Sequence, residues 1–444
     1  MWRIALLLAA TLCIGLPALG REKMSLDLKE SIRIALERSK SLAAAREKVM
    51  EAEARIGQAR AAFLPQISNR STYTRLDVAP YISMAKFPFP MPSGVPPRIQ
   101  IGRKELYNIT TSLQQPIFTG FKILNGYKIS KYRAEAEMFN YEKAKEDLIL
   151  DVQEAYYRVL KAQEFLKVSE QAVEQMEAHL HDLENMYKLG MIAENDLLKA
   201  KVQLSQVKLT RIQAVNAVRM AKTAFCSVIG VSLGTEVELK SELRYGPPPP
   251  IDLEDAIATA LKERPEVKAM EYTLKALEKS VSVTKAQWLP NLMLIGNYNY
   301  KKPDRENENK WYRSWDVTLA IQMNIWDWGS VYYQTAQAKH RLRQMRKAYE
   351  QLKDGITLEV TQAYLSLKEA QERVSASEEN LAQAEENYRV TEEKFRQGMA
   401  TNTDVLDANA MLTRAKVEHI QALADYNLAI AKLERAMGTS GGTR

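Results

Sequence analysis

The sequence predicts a mainly helical chain in which very long coiled-coil helices alternate with two β-hairpins of membrane type. Three observations predict it. Only 18 Gly and 16 Pro punctuate 444 residues, too few for a loop-rich protein, so long uninterrupted elements are expected. Segments of the first half recur in the second at fixed offsets. In each half, strands of period two precede tracts of heptad period. Composition agrees: 46% hydrophobic and 26% charged residues exclude a disordered chain, and a mean hydropathy of −0.35 excludes a bundle of apolar membrane helices. The net charge of +7 is modest and its charges are interspersed, so no nucleic-acid partner is expected.

Residues 1–20 open with one Arg, continue with a roughly ten-residue apolar run and end on small residues, the layout of a secretory signal peptide. The run falls short of the roughly 20 residues that span a bilayer. Leu12, where a lipoprotein signal has a small residue, argues against lipid anchoring at Cys13. Cys226 is then the one mature cysteine, and no intramolecular disulfide can form.

The internal repeat sets the organisation. Leu26-Asp27-Leu28 through Phe63-Leu64-Pro65-Gln66 recurs as Ile251-Asp252-Leu253 through Trp288-Leu289-Pro290-Asn291, at offset 225. Asp151 to Tyr156 recurs as Glu359 to Tyr364, and Tyr187 to Met191 as Phe395 to Met399, both at offset 208. The difference of 17 places an insert in the first copy, at the Pro-rich stretch Pro80 to Pro97. The expected segments are a helix over 21–63, a hairpin over 64–118 and a helical hairpin over 119–230. A Pro-rich linker over 231–250 follows, then a helix over 251–288, a hairpin over 289–326, a helical hairpin over 327–438 and a tail over 439–444.

No proline lies between Pro116 and Pro247 or after Pro303, so long helices are allowed twice. Val152, Val159, Leu166, Val173, Leu180 and Tyr187 are spaced by seven, with Ala155, Ala162, Ser169, Met176 and Leu183 three residues after each of the first five. That is a coiled-coil seam. Val360, Leu367, Val374, Leu381, Tyr388 and Phe395 repeat it, and the seams end at the helix stops Gly190 and Gly398. The second returning helix carries Ala408, Ala415, Ala422, Ala429 and Ala436, a small-residue row for close packing. A helix from Gly120 to Gly190 is on the order of 100 Å long. Such rods exceed a compact globule.

Trp311 to Trp326 alternates apolar Trp315, Val317, Leu319 and Ile321 against Ser314, Asp316 and Thr318; Tyr107, Ile109 and Leu113 alternate likewise with Asn108, Thr110 and Ser112. The partner strands, after Pro65 and after Pro290, alternate less cleanly. A soluble hairpin packed on its own helices fits the alternation too. The secretion signal, the sparsely charged polar face and the rods favour lipid as the partner of the apolar face. Four strands cannot close a barrel, so copies must associate; two chains give eight strands and three give twelve. Arithmetic leaves that choice open.

Tyr187-Lys188-Leu189-Gly190 and Phe395-Arg396-Gln397-Gly398, the run Gly398 to Ala408, and the corners Gln115 to Phe118 and Met323 to Trp326 together resemble the TolC outer-membrane efflux protein family over essentially the whole mature chain. The resemblance implies a homotrimer with a shared 12-stranded β-barrel in the outer membrane of a Gram-negative bacterium and an α-barrel extending through the periplasm. It implies as partners outer-membrane lipid, a periplasmic adaptor (membrane fusion) protein touching the helix tips at Gly190 and Gly398, and an inner-membrane RND or ABC transporter. The expected function is a passive exit duct for efflux or type I secretion. The resemblance also places Asp404 and Asp407 in an acidic ring at the periplasmic mouth, with Asp196 the first-copy equivalent and Lys199 opposite Asp407. Residues three apart share a helix face, so three copies would converge their carboxylates on a narrow opening. Ordinary stabilisation of a helix N-terminus is the plainer role for both. The family's latching Arg and Tyr correspond to Ala400 and Phe395, so its latch does not carry over.

No phosphate loop, zinc motif or nucleophile elbow is present, and no enzyme, cofactor or metal is expected. His179, His181, His340 and His419 lie on charged helices and read as solvated. The alternative function is a secreted structural coiled-coil protein without a pore.

Overall fold

The computed structural model of the protein describes residues 23–84, 94, 96–247 and 250–440. The signal-peptide segment 1–20 with Cys13, most of the insert between Pro80 and Pro97, and the last four residues lie outside the described residues. In chain order the strands are β1 (Lys23–Leu26), β2 (Gln66–Arg75), β3 (Tyr81–Ser83), β4 (Arg98–Gln100), β5 (Glu105–Thr119), β6 (Glu236–Leu239), β7 (Asn291–Lys302) and β8 (Tyr312–Gln322). The helices are α1 (Leu28–Arg38), α2 (Lys40–Ala61), α3 (Lys122–Lys188), α4 (Glu194–Val228), α5 (Leu253–Glu263), α6 (Pro265–Lys285), α7 (Ser330–Arg396) and α8 (Asn402–Met437). Each Pro-free tract holds a long helix as expected, and α3 and α7 each run 67 residues. Among the described residues no helix is long and apolar enough to cross a membrane.

The chain forms two compact units. The first comprises residues 1–45, 141–265 and 353–444. Its first helix begins on a capping box, in which Asp27 Oδ1 accepts from Glu30 N at 2.7 Å and Glu30 Oε2 accepts from Asp27 N at 3.0 Å. Val152, Tyr156 and Val159 from α3 meet Phe225, Cys226 and Ile229 near the end of α4, with Ile34, Ala35 and Leu42 closing the core. β1 runs parallel to β6, from Lys23 opposite Glu236 to Leu26 opposite Leu239, and Val237 joins that core. The alanine row of α8 is buried throughout.

Two arginines are buried in this unit. Arg264 donates to both carboxylate oxygens of Glu359, at 2.7 and 3.3 Å. Arg435 donates from Nε to Asp147 Oδ1 at 2.8 Å, and its Nη1 lies 3.3 Å from Glu146 Oε2. Charge pairing of this kind offsets the desolvation of a guanidinium that hydrocarbon alone would not tolerate.

The second unit comprises residues 46–140 and 266–352 and holds one antiparallel sheet of order β2-β5-β7-β8. Its register joins both hairpins: Leu113 lies opposite Gly296 and Gly296 opposite Val317, while Thr111, Tyr298 and Trp315 form another row. Tyr107, Ile109, Leu113, Trp315, Val317, Leu319 and Ile321 thus share one face. Trp315, Val317, Leu319 and Ile321 are 60% or more exposed. The opposite face is a hydrogen-bonded ladder. Ser112 Oγ donates to Asn297 Oδ1 at 2.7 Å, Thr110 Oγ1 donates to Asn299 Oδ1 at 2.8 Å, and both Asn amides donate to Asp316, at 2.8 and 3.3 Å.

Three details depart from the periodicity. β8 ends at Gln322 rather than Trp326 because β7 starts at Asn291, directly opposite, leaving nothing further to pair with. β1 with β6, and β3 with β4, are short pairings with no period to read. On the apolar face β2 carries Asn69, whose amide donates to Thr111 Oγ1 at 2.9 Å, a cross-strand bond that accounts for its weak alternation.

Candidate functional site

The turns that end α3 and α7 are built alike. Gly190 and Gly398 adopt φ of 72° and 75°, a left-handed conformation that only glycine takes at little cost. Gly190 N donates to Tyr187 O and Met191 N to Met186 O, both at 2.9 Å; Gly398 N donates to Phe395 O at 2.9 Å and Met399 N to Lys394 O at 2.8 Å. These paired bonds form a Schellman motif, which satisfies the last carbonyls and reverses the chain into α4 and α8.

The returning helices start differently. Thr401 and Asp404 form a capping box: Asp404 N donates to Thr401 Oγ1 at 3.2 Å, and Thr401 N and Oγ1 donate to Asp404 Oδ2 at 2.8 and 2.7 Å. Those bonds to its carboxylate hold the pKa of Asp404 below the usual value, the threonine hydroxyl contributing most. Asp407 is exposed one turn further on and has no hydrogen bond or ion pair among the described residues. In the first copy Ala193 provides no side-chain cap, and Asp196 faces Lys199 Nζ at 3.6 Å. The capping role therefore fits Asp404 and not Asp407, and only α8 presents two acids on one exposed face.

The two tips are joined by a residue that the periodicity passes over. Asn402, first residue of α8, is buried; its Nδ2 donates to the carbonyl of Asp196 at 3.0 Å and its Oδ1 lies 2.9 Å from His179 Nε2. His179 is itself buried, its ring 5.4 Å from that of Phe395, which corrects the expectation of a solvated histidine. Leu183, Leu197 and Ala200 fill the space below, with Phe395 half-buried against them. Phe395, lacking a hydroxyl, thus packs at the tip, and Ala400 offers no guanidinium to latch it. Among the other histidines, His181 contacts Asn185, His419 contacts Ser377 and His340 is exposed. No group of three or more His, Cys, Asp or Glu is placed to hold a metal ion among the described residues.

Two measurements follow. Asn402→Ala leaves the buried His179 nitrogen without its partner and removes the bond to the Asp196 carbonyl, and is expected to destabilise the tip by about 1–3 kcal/mol, read as faster hydrogen exchange in peptides 176–200 and 399–412. Because the pKa of Asp404 is lowered on folding, its contribution is complete above the ordinary aspartate range of about 4 and is lost as pH falls through the depressed value. Protection of peptide 399–412, relative to intrinsic exchange at the same pH, should fall on acidification below about pH 4, and Thr401→Val, which keeps only the backbone bond, should weaken that dependence.

Comparison with known proteins identifies relatives over most of the chain. A family model described as "Outer membrane efflux protein" matches residues 31–231 and 256–439. The outer membrane protein TolC of Vibrio cholerae is 23% identical over 425 residues, covering 90% of this chain and 87% of that one. The outer membrane efflux protein BepC of Brucella suis is 22% identical over 330 residues, 73% of this chain and 71% of that one. The alkaline protease secretion protein AprF of Pseudomonas aeruginosa is 22% identical over 333 residues, 74% and 68% of the two chains. Among solved structures, the Campylobacter jejuni CmeC outer membrane channel matches with a TM-score of 0.78 at 18% identity, over 93% of this chain and 86% of that one. The outer-membrane channel OprN matches with a TM-score of 0.76 at 20% identity, over 93% and 90%.

Proposed function

Because this chain belongs to the outer membrane efflux protein family, we propose that it is the outer-membrane exit duct of a tripartite efflux or type I secretion system. It is a channel component and not an enzyme. The observation that carries this reading is the open four-stranded sheet, apolar on one face and polar on the other, whose outer strands β2 and β8 each have one edge unpaired among the described residues. In hydrocarbon each unpaired backbone group costs several kcal/mol, so the edges must be closed by other copies. Three copies supply twelve strands, an even number within the range of known barrels.

In this reading β2 of one copy pairs with β8 of the next, the Asn-Asp-Ser-Thr ladder lines an aqueous bore, and the internal repeat lets six helical hairpins of three chains surround the continuation of that bore. The duct sits in the Gram-negative outer membrane with its helices in the periplasm. The turns at Gly190 and Gly398 meet a periplasmic adaptor, and an RND or ABC transporter in the inner membrane supplies the energy. Asp404 and Asp407 form the acidic mouth, with Asp407 contributing the freer charge.

Purified protein in detergent should sediment as three chains and form discrete conducting events in a planar bilayer. A detergent-independent monomer without conductance would return the chain to a secreted coiled-coil role. Asp404→Asn with Asp407→Asn should lower cation selectivity and weaken divalent-ion block. Equal selectivity in the double variant would leave Asp404 as a cap alone.

A further inference from the structure

A second feature lies in the sheet-bearing unit, beside the ends of β7 and β8. Lys285 and Trp288 from the end of α6 and the turn that follows it, and Tyr332, Thr335, Lys339, His340 and Arg343 from α7, line a surface pocket of about 370 Å³. The α7 residues recur at intervals of three and four and so share one helix face. Trp288 stands three residues before β7 and Tyr332 ten after β8, so the pocket opens where strands give way to helices.

Its charge is one-sided. From Ser330 to Tyr349, α7 carries five Lys or Arg and no Asp or Glu. Lys285, Lys339, His340 and Arg343 make no ion pair or hydrogen bond among the described residues. The nearest carboxylates along α6 are engaged elsewhere, Glu278 by Arg346 at 3.0 Å and Glu271 by Tyr349 at 2.9 Å. The hydroxyl oxygen of Thr335 is also buried without a partner. At offset 208 the first copy has Lys131, Tyr132 and Glu135, so the concentration of charge belongs to the second copy alone. The three cationic side chains, Lys285, Lys339 and Arg343, repel one another unless an anion lies between them.

Trp326 and Trp328, six and four residues before Tyr332, are exposed as well and lie ring against ring. Exposed aromatic rings at the end of an apolar sheet face mark a membrane–water boundary, and basic groups just outside that boundary attract anionic lipid. Arginine and lysine are also the usual partners of phosphate oxygens. We propose that this pocket binds the phosphodiester head group of an anionic glycerophospholipid in the leaflet nearest the helices. The proposal rests on the sheet spanning a membrane, as inferred above.

The test is native mass spectrometry of the full-length protein in detergent, titrated separately with phosphatidylglycerol, phosphatidylcholine and inorganic phosphate. Phosphatidylglycerol should bind in preference to phosphatidylcholine. Lys339→Ala with Arg343→Ala should weaken it about thirtyfold, whereas Arg341→Ala with Lys347→Ala, which removes equal charge outside the pocket, should change it less than threefold. Equal binding of the two lipids, equal loss in the two double variants, or inorganic phosphate binding as tightly as phosphatidylglycerol would each overturn the lipid assignment. So would dissociation of the oligomer in the pocket variant with lipid binding unchanged, which would make the pocket a contact between copies. Conductance of the unmodified protein is recorded in parallel; its absence would refute the duct itself, whereas conductance without lipid preference would refute only the pocket.

Discussion

Arginine at both Val317 and Leu319 is expected to abolish insertion of the protein into the outer membrane. Both side chains are more than half exposed on the apolar face of β8, opposite Gly296 and Leu294. A charge on the lipid face of a barrel strand costs about 2–4 kcal/mol near the bilayer midplane. Two such charges per chain, in the proposed trimer, cost about 12–24 kcal/mol, as large as or larger than the roughly 5–15 kcal/mol that holds an ordinary fold. Membrane flotation and heat-resistant oligomer on gels measure the outcome. Thr318→Arg, on the polar face between the two, is the matched control and should insert normally. Insertion of the double variant at the level of the control would show that this face does not meet lipid.

The second large effect is expected at Arg435. Its side chain is 6% exposed, held between Asp147 and a Glu146 that is 11% exposed. Arg435→Ala removes the compensating charge and strands Glu146 in the core, at a cost of about 3–5 kcal/mol. Urea titration followed by tyrosine and tryptophan fluorescence reads that loss. Glu146→Gln combined with Arg435→Met removes the stranded charge and should recover a substantial part of it, since a neutral pair of similar volume carries no such penalty. A stability within 1 kcal/mol of the parent in Arg435→Ala would mean that the ion cluster contributes nothing net.

The long helices and the sheet were legible because each obeys a single period. Proline-free heptads anticipate α3 and α7, and the alternation of Tyr107 to Leu113 and of Trp315 to Ile321 anticipates the face that the register then displays. Below Val159 the heptad reading loses definition for a physical reason. Ser169, Met176 and Leu183 are buried, but so are Val168, Ala172 and His179, which lie off the seam. A helix with neighbours on two sides has two seams, and a 3.5-residue period reports one of them. His179 belongs to the other, facing α8, so its polarity read as solvation. Asn402 left no signal at all, since asparagine opening a helix is ordinary and its partners lie more than 200 positions away. At the start of α8, spacing anticipated that Asp404 and Asp407 share a face, but not that Thr401 engages one of them.

The pairing of β1 with β6 bears on the order in which the polypeptide is made. Lys23–Leu26 precedes its hydrogen-bonding partner Glu236–Leu239 by more than 200 residues, and the unit to which both belong is completed only by residues beyond 353. β1 can therefore pair only after the intervening chain, including all of α3 and α4, has been made. Folding of such high contact order is slow, and an idle strand edge is sticky. Until β6 is available, the β1 edge is a liability that this fold can remove only late.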